Sequence, residues 1–188
     1  MLALSFNTNN PTYNRDMQTN TIATRWVVMG VSGSGKSDVG RALSEALGVP
    51  FLEGDSFHSA ANVAKMSAGT PLNDDDRAGW LLTLQEQIRN ARDSDIGMVL
   101  SCSALKRRYR DLLRAGDPAL RFAHLAGERE LIEARMKARP GHYMPPSLLD
   151  SQLQALEPLQ ADEAGIVLDI RKPIAELVSE ILKLSGPQ

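Results

Sequence analysis

Eight consecutive residues carry the plainest chemistry in the chain. Gly30-Val31-Ser32-Gly33-Ser34-Gly35-Lys36-Ser37 satisfies G-x-x-x-x-G-K-[ST] in full, with the apolar run Trp26–Met29 before it and an amphipathic segment after it. Glycines 30, 33 and 35 let the backbone wrap closely and turn its N–H groups inward as an anion nest. A helix starting at Lys36 would aim its unpaired N–H groups and positive dipole end at the same point. Lys36 would reach the β- and γ-phosphates of a nucleoside triphosphate, and the Ser37 hydroxyl would ligate Mg²⁺. A chance Gly/Ser-rich turn would not need both flanking elements. The guanine-reading Asn-Lys-x-Asp is missing, and Asp76-Arg77-Ala78-Gly79, which fits the GTPase Asp-x-x-Gly, follows an acidic run rather than a strand. ATP is therefore the expected nucleotide.

A second group of residues has the makings of an acceptor site. Phosphoryl transfer needs an aligned hydroxyl and cations over the migrating charge. Glu53 and Asp55 directly follow a short apolar run, so both carboxylates should stand near the phosphate loop. Asp55 is suited to orienting or deprotonating an acceptor hydroxyl, and Glu53 to holding Mg²⁺-bound water; an ordinary Asx turn would also explain them. His58 lies three residues on. Asp74, Asp75 and Asp76 read as the acidic first turn of a helix, but Arg77 is a cation where the dipole disfavours one. Lys106, Arg110 and Arg114 recur at i, i+4, i+8 and form one basic face; such a stripe is usually solvated. Its start at a strand end gives Lys106 and Arg110 a route to an anionic ligand, while Arg114 lies a turn further away. Arg135 and Arg139 share a helix face leading into Pro140-Gly141-His142, as in a hinged lid closing over the nucleotide.

These residues need a scaffold, and the rest of the chain supplies its pattern. Short apolar runs at Trp26–Met29, Phe51–Leu52, Met98–Cys102, Leu120–Leu125 and Gly165–Ile170 read as buried strands. Between and after them lie helical patterns: from about Lys36, near Ala60–Ala68 and Asp74–Arg92, over Lys106–Ala115, from about Glu128 to Ala138, over Ser147–Leu156 and from Pro173. Strands alternating with helices predict right-handed crossovers and an α/β fold, a three-layer α/β/α sandwich around a five-stranded parallel sheet. Ligands in such sheets bind at the carboxyl ends of the strands.

Composition narrows the rest. The chain has 188 residues, 43% apolar and 23% charged, which suits one ordinary domain. A net charge of −2 argues against nucleic acid and anionic membrane as partners. No apolar run approaches a membrane span. The single cysteine, Cys102, cannot close an intrachain disulfide, fits a reducing cytoplasm and has no activating neighbour in sequence. Residues 1–24, rich in Asn and Thr, read as a disordered extension without a secretory signal, leaving 25–188 as the domain.

Over about Arg25–Leu184 the sequence resembles the small P-loop gluconate kinases of the thermoresistant type. The likeness rests on the phosphate loop, Glu53–His58, Asn62–Met66 and Gly69–Arg77 with Trp80-Leu81. It continues through Cys102–Arg110, Arg139–His142 and Leu148–Gln152. The resemblance implies the P-loop kinase fold of shikimate and nucleoside monophosphate kinases, with a helical lid over about 127–146. It implies ATP- and Mg²⁺-dependent phosphorylation of D-gluconate to 6-phosphogluconate, in the cytoplasm, commonly by a homodimer. Asp55, His58, Lys65, Asp76, Arg77, Lys106, Arg110 and His142 supply the acids and cations that a polyhydroxy carboxylate calls for. Lys36, Arg135 and Arg139 would stabilise the transferring group, and Asp55 would orient the hydroxyl. A shikimate or nucleoside monophosphate kinase is the rival within the fold, and a non-catalytic ATP-binding module the rival outside it. The N-terminal extension and the Arg139-Pro140 step depart from the shortest family members.

Overall fold

The computed structural model describes residues 23–138 and 148–185. Among them, five strands form one parallel sheet: β1 (Arg25–Met29), β2 (Phe51–Glu53), β3 (Met98–Ser101), β4 (Arg121–Ala126) and β5 (Gly165–Asp169), in the order β2-β3-β1-β4-β5. The helices are α1 (Lys36–Leu47), α2 (Ala60–Ser67), α3 (Asp74–Asp93), α4 (Arg107–Arg114), α5 (Arg129–Ala138), α6 (Leu149–Ala155) and α7 (Ile174–Ser185). The expected α/β/α sandwich with a five-stranded parallel sheet is the observed fold.

Side chains that alternate along β1 divide the core in two, as the twofold period of a strand requires. Trp26 and Val28 pack with Val39 and Leu43 of α1, Ile132 and Met136 of α5, and Leu177 and Ile181 of α7. Val27 and Met29 face the other way, onto Trp80, Leu84 and Ile88 of α3 and Leu113 of α4. Burial on both faces is why β1 reads as an unbroken apolar run rather than as alternation.

This arrangement fixes the site. β1 lies between β3 and β4, so the chain leaves it at the point where strand order reverses, with the phosphate loop at its carboxyl end. Register brings Val28 and Glu53 level with Ser101, and Met29 level with His124. The last residues of β1, β2 and β3 therefore form one edge.

Three local features depart from the sequence pattern. β2 runs straight into a 3-10 turn, Gly54–Phe57, because Gly54 passes so close to the Ser101 carbonyl that a Cβ there would overlap it. Helix α4 begins at Arg107, with Lys106 as its N-cap. Ladder bonding starts just before β1, where the Thr24 carbonyl accepts from the Met98 N–H at 3.1 Å. The N-terminal extension (residues 1–22 of it) and lid residues 139–146 lie outside the described residues.

Candidate active site

The phosphate loop is built as an anion receptor. Gly30, Gly33 and Gly35 all take positive φ (145°, 80° and 93°), which turns successive amides to one side. Gly35 is the N-cap of α1 and, among the described residues, no side chain caps it, so the first-turn amides have no intrahelical acceptor. Ser34 is 1% exposed, and its hydroxyl has no partner among the described residues. An unpartnered buried hydroxyl inside a positively polarised loop suits a phosphate oxygen. The Lys36 ammonium reaches across the loop to donate to the Val31 carbonyl at 3.0 Å.

Two elements brace this loop from outside. Met136 and Ile132 of α5 press on Gly33, where a Cβ would come within 2.5 Å of Met136 Cγ. From α6, the Gln152 side-chain carbonyl accepts the buried Ser32 N–H at 2.7 Å. Beside the loop opens a cavity of about 430 Å³, lined by Gly33, Ser34, Gly35, Asp38, Arg135, Ile170, Lys172 and Ile174 among others. Arg135 enters it from α5, anchored by a 2.8 Å donation to the Ile170 carbonyl. The volume is in the range of small-ligand pockets.

Across the sheet edge lies the second half. Asp55 sits in the 3-10 turn after β2, and His58 closes that turn. The His58 ring stacks on Trp80 with centroids 4.2 Å apart, and the Trp80 indole N–H donates to the Gly54 carbonyl at 2.8 Å. Burial pushes the His58 pKa below the ordinary histidine value, Asp55 opposes that shift and Arg77 adds to it. The buried Cys102 thiol is pushed up to about 12, mainly by desolvation; Asp55 raises it further, while Lys36 and Arg77 pull it down. Cys102 itself is therefore a neutral thiol. Gly54 lies against the Ser101 carbonyl at the end of β3 and accepts from Trp80, so the turn that carries Asp55 and the start of α3 that carries Arg77 meet at this sheet edge.

The remaining acceptor candidates are held in ion pairs. Lys65 of α2 meets Asp76 at 2.5 Å, and Asp76 also closes a capping box with Asn73 at the start of α3. Lys106 reaches Asp74 at 3.0 Å; Tyr109 and Arg108 bond the same carboxylate and hold Asp74 well below the usual carboxylate range. Glu53 accepts from the Ser101 hydroxyl and lies 4.0 Å from Arg41.

One expectation fails. Arg110 does not face a ligand: its side chain is fully buried, paired with Glu163 at 2.6 Å, with further donations to four backbone carbonyls. The Lys106/Arg110/Arg114 stripe is not a solvated basic face either, since Arg114 turns toward Asp111 and Glu163, each 3.7 Å away. Arg139 and His142 lie outside the described residues.

Comparison with known proteins separates the branches of this fold. The shikimate kinase family model matches residues 32–184. The thermoresistant gluconokinase of Escherichia coli is 42% identical over 160 residues, covering 85% of this chain and 91% of that protein. The thermosensitive gluconokinase of the same organism is 45% identical over 157 residues, covering 82% and 83%. The chain belongs to the gluconokinase family. A gluconokinase crystal structure from Sinorhizobium meliloti superposes with a TM-score of 0.79 at 47% identity, covering 87% of this chain and 92% of that one.

Within this gluconokinase-family site, several contributors escape a reading of residue types. Trp80 reads as one more apolar position of α3, yet its ring carries His58. Gln152 leaves a trace: it sits on the core-facing side of α6 with Leu149 and Leu153, where an amide needs a partner. Ile170 and Lys172 of the β5–α7 connection and Ile174 at the start of α7 line the cavity, and no local motif marks them.

Proposed function

We propose that this protein transfers the γ-phosphoryl group of ATP to D-gluconate, yielding 6-phospho-D-gluconate. The observation that carries the reading is the anion-receptive loop at the carboxyl end of β1, level with the end of β2 from which Asp55 and His58 follow. Membership of the gluconokinase family supports the choice of acceptor.

In this reading the amides of Gly30–Ser37 and the Lys36 ammonium hold the phosphates, and the nucleoside occupies the cavity beside Arg135. Asp55 orients an acceptor hydroxyl in line and takes up its proton as the O–P bond forms. Lys36 and Arg135, with Arg139 from the lid, balance charge on the transferring oxygens. Arg77 and Lys106 face the gluconate carboxylate; His58, kept neutral by burial, offers hydrogen bonds without a charge. Lys65, Asp76 and His142 complete the acceptor region.

Mg²⁺ belongs to the same reading. Among the described residues, no group of three or more His, Cys, Asp or Glu could hold a metal ion. Mg²⁺ binds through few protein groups plus substrate phosphates. The Ser37 hydroxyl would hold it and Glu53 its water; when bound, it screens the triphosphate charge. A homodimer in the cytoplasm, with neither nucleic acid nor membrane as partner, is expected alongside. Phosphorus NMR of protein incubated with ATP, Mg²⁺ and gluconate should show a phosphomonoester on the C6 oxygen. ADP appearing without that resonance would contradict the proposal.

A further inference from the structure

Arg110 is closed off from any ligand, and its burial leaves it a different task. The guanidinium forms a two-pronged pair with Glu163, Nε to Oε1 at 2.6 Å and Nη2 to Oε2 at 2.8 Å, with both side chains at 0% exposure. Nη1 donates to the carbonyls of Ala104 and Leu105, both at 3.2 Å, and of Glu157 at 3.0 Å. The first two belong to the turn between β3 and α4. Ala104 there has φ +43°, a left-handed conformation that a residue with a Cβ disfavours.

The same turn is tied at several other points. The Gly30 N–H donates to the Ser103 carbonyl at 3.4 Å, which joins the turn to the phosphate loop. Glu157 bonds it twice, its N–H to the Leu105 carbonyl at 2.8 Å and its carboxylate to the Arg107 N–H at 2.6 Å. Lys106 leaves the turn to meet Asp74 at the start of α3, one turn from Arg77. A fully buried ion pair adds little net stability over an apolar pair of the same size, so stability alone does not explain this one.

We propose that Arg110 is a positioning residue: with Glu163 it clamps the Ser103–Lys106 turn in its left-handed form and so presents Lys106 to the acceptor carboxylate. This rests on the gluconate reading above for what Lys106 meets, but not for the clamp itself.

The double variant Arg110→Met/Glu163→Leu removes the clamp without stranding a buried charge. It does leave the carbonyls that Arg110 served and the Gln160 N–H without their partners, so it should melt below the wild type while staying folded at the assay temperature. The KM for gluconate should rise about tenfold, the order of the preference against a left-handed alanine, while the KM for ATP moves less than about twofold. A merely structural role would lower the active fraction, and so kcat, without that split. Adding Ala104→Gly should restore most of the gluconate KM, because glycine has no Cβ to disfavour the left-handed conformation; in the wild-type background it should leave the gluconate KM unchanged. Hydrogen exchange of the peptide spanning residues 102–107 should quicken severalfold in the double variant, and this is readable without any acceptor. If the double variant does not fold, Arg110→Lys, which keeps the charge but loses the fork, takes the same measurements. A folded variant with unchanged gluconate KM and unchanged exchange overturns the clamp. Wild-type protein inert toward gluconate overturns the substrate reading, and exchange alone then decides the clamp.

Discussion

The imidazole of His58 lies flat on the indole of Trp80, with ring planes 17° apart, and the indole is pinned by its bond to the Gly54 carbonyl. One side chain thus joins α3 to the turn that carries Asp55. Trp80→Phe keeps a stacking surface but strands a buried carbonyl. It should cost about 1–3 kcal/mol of stability in urea unfolding and raise the KM for gluconate more than that for ATP. Unchanged stability would mean that the bond to Gly54 contributes nothing.

Asp55 is the residue on which transfer depends most. Asp55→Asn keeps the shape of the side chain but cannot take a proton. It should lower kcat by about 10²–10⁴ while ATP affinity, measured by titration, stays within about twofold. Near-normal turnover would remove Asp55 from the chemistry.

Gly33 tests the loop. A methyl there meets both an unfavourable φ of +80° and the side chain of Met136. Gly33→Ala should destabilise by about 1–2 kcal/mol and weaken nucleotide binding. Met136→Ala in the same chain should return part of the affinity by clearing the contact.

This loop is legible from residue types because its chemistry is local. Eight adjacent residues and their flanks suffice, and Asp55 follows from the end of β2 in the same way. The strands were legible because burial on both faces leaves uninterrupted apolar runs. Arg110 was not. Its spacing from Lys106 and Arg114 describes one helix face but not what covers that face, and Glu163 lies 53 positions away. Tertiary pairing of charges leaves no periodic trace, so a stripe whose placement offers Arg110 to an anionic ligand does not show that Arg110 and Arg114 turn onto Glu163. Trp80 was hidden for the opposite reason: it fits the apolar stripe of α3 and packs there, while its N–H does separate work.

His124 gives the pH dependence a sign. Burial first, then the charge of Arg110, hold its pKa below the ordinary 6.5. The unfolded chain therefore binds more protons than the folded one at and below that pH. This contribution to stability is fully present above 6.5 and is lost as pH falls through the lower folded value. Between about pH 7.5 and about 5, His124→Leu should lose less of its melting temperature than the wild type, with His58 accounting for part of what remains. Parallel curves would show that His124 is not titrating.

The most direct test of the whole account is acceptor selectivity. With ATP and Mg²⁺ in excess, initial rates would be measured for gluconate, shikimate and the common nucleoside monophosphates. The arrangement of Asp55, His58, Arg77 and Lys106 predicts a kcat/KM for gluconate at least about a hundredfold above the others, since a site built to pair hydroxyls and a carboxylate rejects acceptors that leave it unpaired. Equal or faster phosphorylation of shikimate or a nucleotide would contradict it, as would ATP consumption that ignores the acceptor.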